Sequence, residues 1–335
     1  MDRNNEKHKK FHLVNEMFDT VGIIRDFDMN AVPSVIKARP DSRIMLTGEG
    51  SSRIFPAKNA IHHRMLLGKG PELLTEGSLQ ILQYPLTNHL VLGASNSGKT
   101  KEVIQLFTEL RAKAHHPLYG VTCNADTPLE KLCDGTVFIN VCREQAVAAT
   151  KSVVAQALVY ESLLHSLVPY EFTLSSLADG FENILNRPVD ARIVDSLAAA
   201  GTVYYAGFNN GVAEELSLKT CEILRKKSAY LPGTFLLHGI EEVISANDVI
   251  VLVDLMESEF RKIHEIYTKL IGCKVIAFTN SSPFLNISVP KGTVYEEGYF
   301  KLATGWNMMV EAGIALNVEL DKPIRARKIG NEAIE

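Results

Sequence analysis

Short apolar segments alternate with longer amphipathic segments along most of the chain. After a polar helical stretch near residues 8–38, apolar runs that predict β-strands recur in both halves, and helical patterns fill the gaps between them. This alternation is typical of βαβ units and a parallel sheet, so we predict the α/β class. The predicted strands are residues 43–48, 89–95, 117–123, 136–141, 202–207, 248–254 and 273–279.

The second half repeats the rhythm of the first. Met45 and Val91 are 46 residues apart, and Tyr205 and Val251 have the same spacing. Such a repeat predicts a duplicated α/β domain, although a single large doubly wound sheet would have similar spacings. The predicted boundaries are residues 30–175 for the first domain, 185–320 for the second and 321–335 for a C-terminal tail.

Composition limits the class of partner. The chain has 335 residues and a net charge of −4, and it lacks the basic clusters of a nucleic-acid-binding protein. Its apolar runs are far shorter than a membrane span. Its five cysteines form no C-x-x-C pair, which favours a reducing compartment. We therefore expect a cytoplasmic protein that acts on a small molecule, with no nucleic-acid or membrane partner and no metal or other cofactor.

Residues 93–100, GASNSGKT, match two phosphate-binding patterns at once. They fit the G-x-x-x-x-G-K-T loop of nucleotide-binding proteins, and they also place the hydroxyls of Ser95, Ser97 and Thr100 on a turn that opens a helix. Both patterns predict anion binding, since a helix N-terminus offers unpaired N–H groups and partial positive charge. The ligand is either a nucleotide with magnesium or the single phosphate of a sugar.

The first half favours the sugar phosphate. A complete strand, turn and helix precede the GASNSGKT turn, whereas a P-loop usually follows the first strand of its domain. The earlier turn, residues 47–52, is also rich in glycine and hydroxyls, so two turns at neighbouring strand ends could hold one phosphate. Asp254, after the apolar run 249–253, resembles the acidic residue of an ATPase. A P-loop ATPase therefore remains an alternative.

Six segments, taken in order, resemble the double SIS (sugar isomerase) domain family and in particular the isomerase portion of glucosamine-6-phosphate synthase. They are GSS at 50–52, SNSGKT at 95–100, EQAVAATK at 144–151, EELSLKTCE at 214–222, LLHG at 236–239 and DKPIRARK at 321–328. The resemblance implies two flavodoxin-like, three-layer αβα domains. It also implies that phosphate and sugar are bound by Ser51, Ser52, Ser95, Asn96, Ser97, Thr100, Val147 and Ala149.

Spacing and resemblance give different roles to the helix at 214–222. Glu215, Lys219 and Glu222 recur on one helical face, and spacing alone predicts an exposed Glu–Lys ladder. The resemblance instead implies that Lys219 lies in the active site and that Glu222 moves a proton between C1 and C2. It also implies that His238 opens the sugar ring, often from a neighbouring subunit, and that Lys328 forms an imine with a keto sugar.

The departures from the synthase narrow the expected activity. Asp2 follows Met1 and no cysteine precedes Cys123, so we expect no glutaminase chemistry. We predict a homodimeric phosphosugar aldose–ketose isomerase that releases ammonia or an amine from an amino-sugar 6-phosphate or a 6-phosphofructosyl-amine. A non-catalytic phosphosugar-binding regulator is the alternative within the family.

The paired histidines His62–His63 and His115–His116 lack ligand spacing, and we expect them at the surface.

Overall fold

The computed structural model describes residues 1–141, 143–254, 256–327 and 331–333. The chain divides into two compact units, each built on its own sheet. The first unit comprises Gly22–Gln145, Ala149–Leu174 and the described part of Arg325–Glu335. The second unit comprises Met1–Val21, Ala146–Ala148 and Ser175–Ile324. The chain therefore passes between the units more than once.

Five parallel strands form the sheet of the first unit in the order β2-β1-β3-β4-β5. Met45 and Val91 are register partners in β1 and β3. Every residue of β3 and β4 is buried, as expected for central strands covered on both faces. The strands are β1 Arg43–Thr47, β2 Glu72–Glu76, β3 His89–Ala94, β4 Leu118–Thr122 and β5 Gly135–Phe138.

Helices cover both faces of this sheet. Ile44 and Leu46 pack with α4 and α8 in one apolar cluster, whereas Met45 packs with α6 in a second cluster on the opposite face. Alternate residues of β1 therefore face the helical layers on opposite sides of the sheet. The helices are α1 Glu6–Lys9, α2 His12–Arg25, α3 Ala31–Val35, α4 Ile54–Leu67, α5 Ser78–Ile81, α6 Lys101–Ala112, α7 Pro128–Lys131 and α8 Lys151–Leu167. Of these, α1 and the start of α2 belong to the second unit.

The sheet of the second unit has the same topology. Its order is β10-β9-β8-β6-β7, which from the other edge repeats the order of the first sheet, and all its pairs are parallel. Tyr205 and Val251 are register partners in β6 and β8, so both 46-residue spacings join neighbouring strands. The strands are β6 Thr202–Gly207, β7 Lys227–Pro232, β8 Val249–Leu252, β9 Lys274–Ala277 and β10 Leu285–Asn286.

The helices of the second unit include two widened segments. The α-helices are α9 Leu174–Asn186, α10 Ala191–Ala199, α11 Val212–Lys219, α12 Phe260–Ile263 and α13 Glu297–Ala315. The π-helical segments are Thr220–Leu224, which continues α11, and His264–Ile271, which continues α12. Short 3-10 helices are Gly50–Ser52 in the first unit and Gly233–Leu237, Ile240–Glu242 and Glu257–Glu259 in the second.

The predicted α/β class with two parallel sheets is confirmed, and the alternative of one large sheet is wrong. All seven predicted strands form; the strand at 202–207 has the predicted bounds, and the other six have shifted ends. β2, β7 and β10 were not predicted, because each is an edge strand of mostly half-buried or exposed residues and so has no apolar run. Among the described residues, no helix is both long and apolar enough to cross a membrane.

Candidate active site

The two hydroxyl-bearing turns of the first unit follow neighbouring strands. β1 and β3 are parallel partners, so the turns after them begin side by side at one edge of the sheet. A Cβ on Gly48 would lie 2.9 Å from the carbonyl oxygen of Ala94, and glycine therefore permits this approach of the two backbones. Gly50–Ser52 then forms a 3-10 turn that carries the predicted ligands Ser51 and Ser52.

The second turn folds its hydroxyls onto the start of α6. Ser95 Oγ lies 2.8 Å from Thr100 Oγ1 and accepts the Thr100 N–H at 3.3 Å. Ser97 Oγ accepts the N–H of Lys99 at 3.1 Å. Thr100 is the N-cap residue of the twelve-residue helix α6. Hydroxyls and the positive end of a helix dipole therefore meet at this turn, an arrangement suited to an anion.

Asn96 and Gly98 shape the middle of the same turn. The carbonyl oxygen of Asn96 accepts the N–H of Cys123 at 3.2 Å and the side-chain amide of Asn124 at 3.1 Å. Asn96 Oδ1 is buried and has no hydrogen-bond partner within the described part of the chain, so it could accept a ligand hydroxyl. Gly98 has a φ of 68°, and a Cβ there would lie 2.5 Å from Thr127.

Glu144 holds the start of α8, the third segment of this region. Its carboxylate accepts the N–H groups of Thr150 at 2.8 Å and Ser152 at 3.2 Å, and the Ser152 hydroxyl at 2.7 Å. A carboxylate at a helix N-terminus is favourable, and it fixes the chain next to the predicted ligand Ala149. α8 also packs on the Gly50–Ser52 turn. Three of the predicted binding segments therefore adjoin in the first unit.

The C-terminal segment Asn331–Ala333 lies against the start of α6. The Lys101 N–H donates to the carbonyl oxygen of Asn331 at 3.1 Å, and the side-chain amide of Asn331 donates to Glu102 Oε1 at 2.6 Å. This end of the tail therefore runs beside the hydroxyl turn. Lys328, the predicted imine-forming residue, lies outside the described residues.

Lys219 lies between two carboxylates in the second unit. Its Nζ is 2.8 Å from Glu222 Oε2 and 3.2 Å from Glu215 Oε1. Burial alone would lower the pKa of Lys219, but attraction to Glu222 and Glu215 outweighs it and raises that pKa above its usual value. The exposed ladder predicted from spacing is wrong, because the Lys219 and Glu215 side chains are fully buried. Glu222 alone of the three reaches the surface, with 27% of its side chain exposed.

The helix widens where Glu222 lies. The sequence pattern predicted one continuous helix after Gly211, but α11 ends at Lys219 and a π-turn, Thr220–Leu224, follows. Thr220 Oγ1 is 2.7 Å from the hydroxyl of Tyr205 on β6, which fixes the turn to the sheet. Such π-turns are frequent at functional sites. The hydrophobic periodicity of this segment does not distinguish a π-turn from an α-helix.

Val147 and His238 are the other predicted site residues of the second unit. The Val147 N–H donates to the carbonyl oxygen of Asp321 at 2.9 Å. His238 is exposed and follows the 3-10 helix Gly233–Leu237.

Asp254 occupies the strand end that corresponds to the hydroxyl turn of the first unit. Its buried carboxylate accepts the Phe208 N–H at 2.8 Å and the Asn210 amide at 3.2 Å, and it pairs with Lys301 Nζ at 2.9 Å. Asn210 in turn accepts the N–H of Val212, the first residue of α11. Desolvation would lower the pKa of Lys301, but Asp254 outweighs it and raises that pKa. A lysine therefore neutralises the carboxylate that resembled an ATPase residue.

One histidine pair differs from its prediction. His63 is buried rather than at the surface, because it faces α8, where its Nδ1 lies 2.7 Å from the buried Glu161. Asn59 donates to the same Glu161 oxygen at 2.8 Å. A buried carboxylate needs such partners. His116 is exposed as predicted.

Glu144, Asp254 and Lys301 were not predicted to support the site. Glu144 lies in the motif EQAVAATK, but it is six positions from Thr150, and this is not the three-residue spacing of a capping box. Asp254 was noted only for its place after an apolar run. Lys301 had no signal, because its partner Asp254 is 47 positions away in the chain.

Comparison with known proteins identifies a shared domain and fold. Residues 37–166 match the family model described as SIS domain. No curated protein sequence matches the chain. Among solved structures, the C-terminal domain of glucosamine-fructose-6-phosphate aminotransferase from Francisella tularensis superposes with a TM-score of 0.76 at 15% identity, covering 95% of this chain and 100% of that one.

Two further structures have the same fold. Glucosamine-6-phosphate deaminase from Thermotoga maritima has a TM-score of 0.75 at 16% identity and covers 96% of this chain and 99% of its own. Tagatose-6-phosphate ketose/aldose isomerase from Escherichia coli has a TM-score of 0.70 at 17% identity, with 94% and 95% covered. The resemblance inferred from the sequence motifs is confirmed.

Proposed function

We propose that this chain is a phosphosugar aldose–ketose isomerase. Residues 37–166 match the SIS domain model, and nearly the whole chain shares its fold with solved structures of phosphosugar enzymes. More specifically, we propose that it acts on an amino-sugar 6-phosphate or a 6-phosphofructosyl-amine and releases ammonia or an amine. We further propose that it works as a homodimer, in which His238 serves the site of the partner.

The buried Glu215–Lys219–Glu222 cluster carries this proposal. Lys219 donates to Glu222 Oε2 at 2.8 Å and so orients the one carboxylate of the cluster that reaches the surface. A positioned carboxylate can remove a proton from one carbon of a sugar and return it to the next. Burying the charges of Lys219 and Glu215 has a desolvation cost, and the result is one oriented carboxylate at the surface, which favours catalysis over a regulatory role.

The turns of the first unit would hold the phosphate. Hydroxyls at half-buried positions are offered by Ser51, Ser52, Ser97 and Thr100, whereas the buried Ser95 supports its turn through Thr100. α6 directs its N-terminus to the turn that ends at Thr100. Hydroxyls and N–H groups can bind the phosphate of a sugar without a metal ion. Asn96 Oδ1 and the start of α8 near Ala149 would add contacts to the sugar. The resemblance also gives Val147 a sugar-binding role.

The chemistry balances for both substrate classes. With glucosamine 6-phosphate, transfer of the C2 proton to C1 gives an imine at C2, and water releases ammonia and fructose 6-phosphate. With a fructosyl-amine 6-phosphate, transfer of a C1 proton to C2 gives an imine at C1, and water releases the amine and glucose 6-phosphate. Glu222 would carry the proton in both cases, and His238 would open the ring.

The P-loop ATPase is the weaker alternative. Residues 93–100 lie inside the SIS domain match, and the carboxylate of Asp254 already pairs with Lys301 at 2.9 Å. A magnesium-binding role would require that pair to separate. A non-catalytic phosphosugar-binding regulator would bind the sugar without turnover, so a turnover assay distinguishes the regulator from the isomerase.

The test is incubation with glucosamine 6-phosphate and, separately, with a fructosyl-lysine 6-phosphate in D₂O, followed by NMR. Product and free amine from either sugar would support the proposal and name the leaving group. In a third incubation, with fructose 6-phosphate alone, deuterium at C1 of fructose 6-phosphate or at C2 of glucose 6-phosphate would report proton transfer without any leaving group. Binding without either signal would favour the regulator, and absence of binding would contradict a phosphosugar ligand. Glu265→Gln, an exposed carboxylate in the other π-helical segment, is the matched control for Glu222→Gln.

A further inference from the structure

Arg225 connects the turn that carries Glu222 to the start of the C-terminal tail. It follows the π-turn directly and has a left-handed backbone with a φ of 55°. Its Nη2 donates to the carbonyl oxygen of Glu319 at 2.6 Å and to that of Lys322 at 2.7 Å. We call residues 319–322 the tail root. One guanidinium nitrogen thus holds both ends of the tail root.

The tail root in turn holds Val147. Between the two carbonyls bound by Arg225, the carbonyl oxygen of Asp321 accepts the Val147 N–H at 2.9 Å. The Asp321 carboxylate accepts the N–H groups of His12 at 2.9 Å and Leu13 at 2.8 Å, at the start of α2. These bonds use the unpaired first-turn donors of a fourteen-residue helix. Asp321 is therefore fixed on both sides.

Apolar packing completes the joint. Leu320 is buried and lies against Gly313 of α13, where a Cβ would be 2.7 Å from its Cδ2. The same Cβ would lie 3.6 Å from Leu224 Cδ2. Because position 313 is glycine, Leu320 of the tail root and Leu224 of the π-turn can pack against the same part of α13.

We propose that Arg225 is a positioning residue, which through the tail root fixes the Val147 backbone relative to the Glu222 carboxylate. All these contacts lie within the second unit. The roles of Glu222 and Val147 rest on the proposed function, but the clamp itself does not. Among the described residues, no other donor bonds to the Glu319 and Lys322 carbonyls, so loss of Arg225 should loosen the tail root and the contacts of Asp321 with it.

Amide hydrogen exchange of the substrate-free protein tests the clamp. In Arg225→Met, exchange at the amides of Val147, His12 and Leu13 should accelerate about tenfold or more, since a charge-assisted bond to the segment is lost. Lys226→Met is the matched control, because the neighbouring Lys226 donates to the carbonyl oxygen of Ala200 instead. Exchange at Val147 that is the same in Arg225→Met as in wild type would overturn the clamp.

Steady-state kinetics test the positioning role. With a sugar turned over by wild type, Arg225→Met should lower kcat about tenfold with a smaller change in KM, because a misplaced base slows the chemical step. Arg225→Lys keeps a cationic donor and should restore most of kcat. Faster exchange with unchanged kcat would contradict positioning. If wild type turns over no sugar, the proposed function fails, and the exchange experiment still decides whether Arg225 holds Val147.

Discussion

The two units have the same sheet order and the same 46-residue register, yet their central strands end in opposite chemistry. After β3, the first unit has a hydroxyl turn in which the buried Ser95 bonds to Thr100, with the positive end of α6 behind Thr100. After β8, the second unit presents the carboxylate of Asp254, paired with Lys301 at 2.9 Å. The first strand end is suited to an external anion, whereas the second contains an anion of its own.

Because of this difference, the two copies of the duplicated fold are suited to separate roles. In an open parallel sheet, the carboxyl ends of the strands form the usual ligand crevice. A carboxylate that fills this place satisfies the Phe208 N–H and the Asn210 amide internally. Asn210 then accepts the N–H of Val212 at the start of α11. In the second unit, the Asp254 carboxylate at the strand end therefore fixes, through Asn210, the start of the helix that leads to Glu222.

The largest expected effect comes from the helix that the second unit fixes. Glu222→Gln should lower kcat by about 10³-fold, within the usual range for loss of a general base, while substrate binding changes little. Turnover is followed by NMR and binding by calorimetry. The control Glu265→Gln should keep wild-type turnover. Full turnover by Glu222→Gln would show that this carboxylate is not the base.

Breaking the internal ion pair should destabilise the second unit. Lys301→Met leaves the buried Asp254 carboxylate without its cation, and we expect the free energy of unfolding to fall by about 3 kcal/mol. Urea denaturation measures the change. The double variant Asp254→Asn with Lys301→Met should recover part of it, and the exposed Lys291→Met should stay within about 0.5 kcal/mol of wild type. A Lys301→Met protein as stable as wild type would contradict the comparison.

Removing a hydroxyl should weaken only the first strand end. Ser95→Ala removes the group that bonds to Thr100 Oγ1 at 2.8 Å, and we expect sugar-phosphate affinity to fall about tenfold. Isothermal calorimetry measures the affinity. Ser258→Ala, at an exposed serine after the second strand end, should leave affinity unchanged. Equal losses in both variants would mean that the two strand ends are not functionally distinct.

The smallest effect is expected at the lysine that completes the P-loop pattern. Lys99 is exposed, and an exposed charge contributes little. Lys99→Ala should therefore keep sugar-phosphate affinity within about threefold of wild type. Magnesium-dependent ATP binding is measured in parallel with both proteins. ATP binding by wild type that disappears in Lys99→Ala would favour the nucleotide interpretation.

Patterns in the chain were sufficient to predict what depends on local periodicity. Apolar runs at fixed spacing predicted the central strands, the parallel sheets and the duplication, because a strand buried on both faces must be apolar along its length. Motif order predicted the double-SIS resemblance and the hydroxyl turns. Edge strands such as β2 and β7 were missed, since half-buried strands have no such run.

Contacts between distant residues could be decided only by the tertiary structure. The spacing of Glu215, Lys219 and Glu222 determined that they share a helical face, but spacing does not say whether that face meets solvent or the core. Folding buried Lys219 and Glu215 and placed Glu222 on a π-turn. The Asp254–Lys301 pair and the Arg225 contacts with residues 319–322 likewise join segments far apart in the chain. Burial and charge pairing depend on which surfaces pack together, and the local sequence pattern does not specify which surfaces those are.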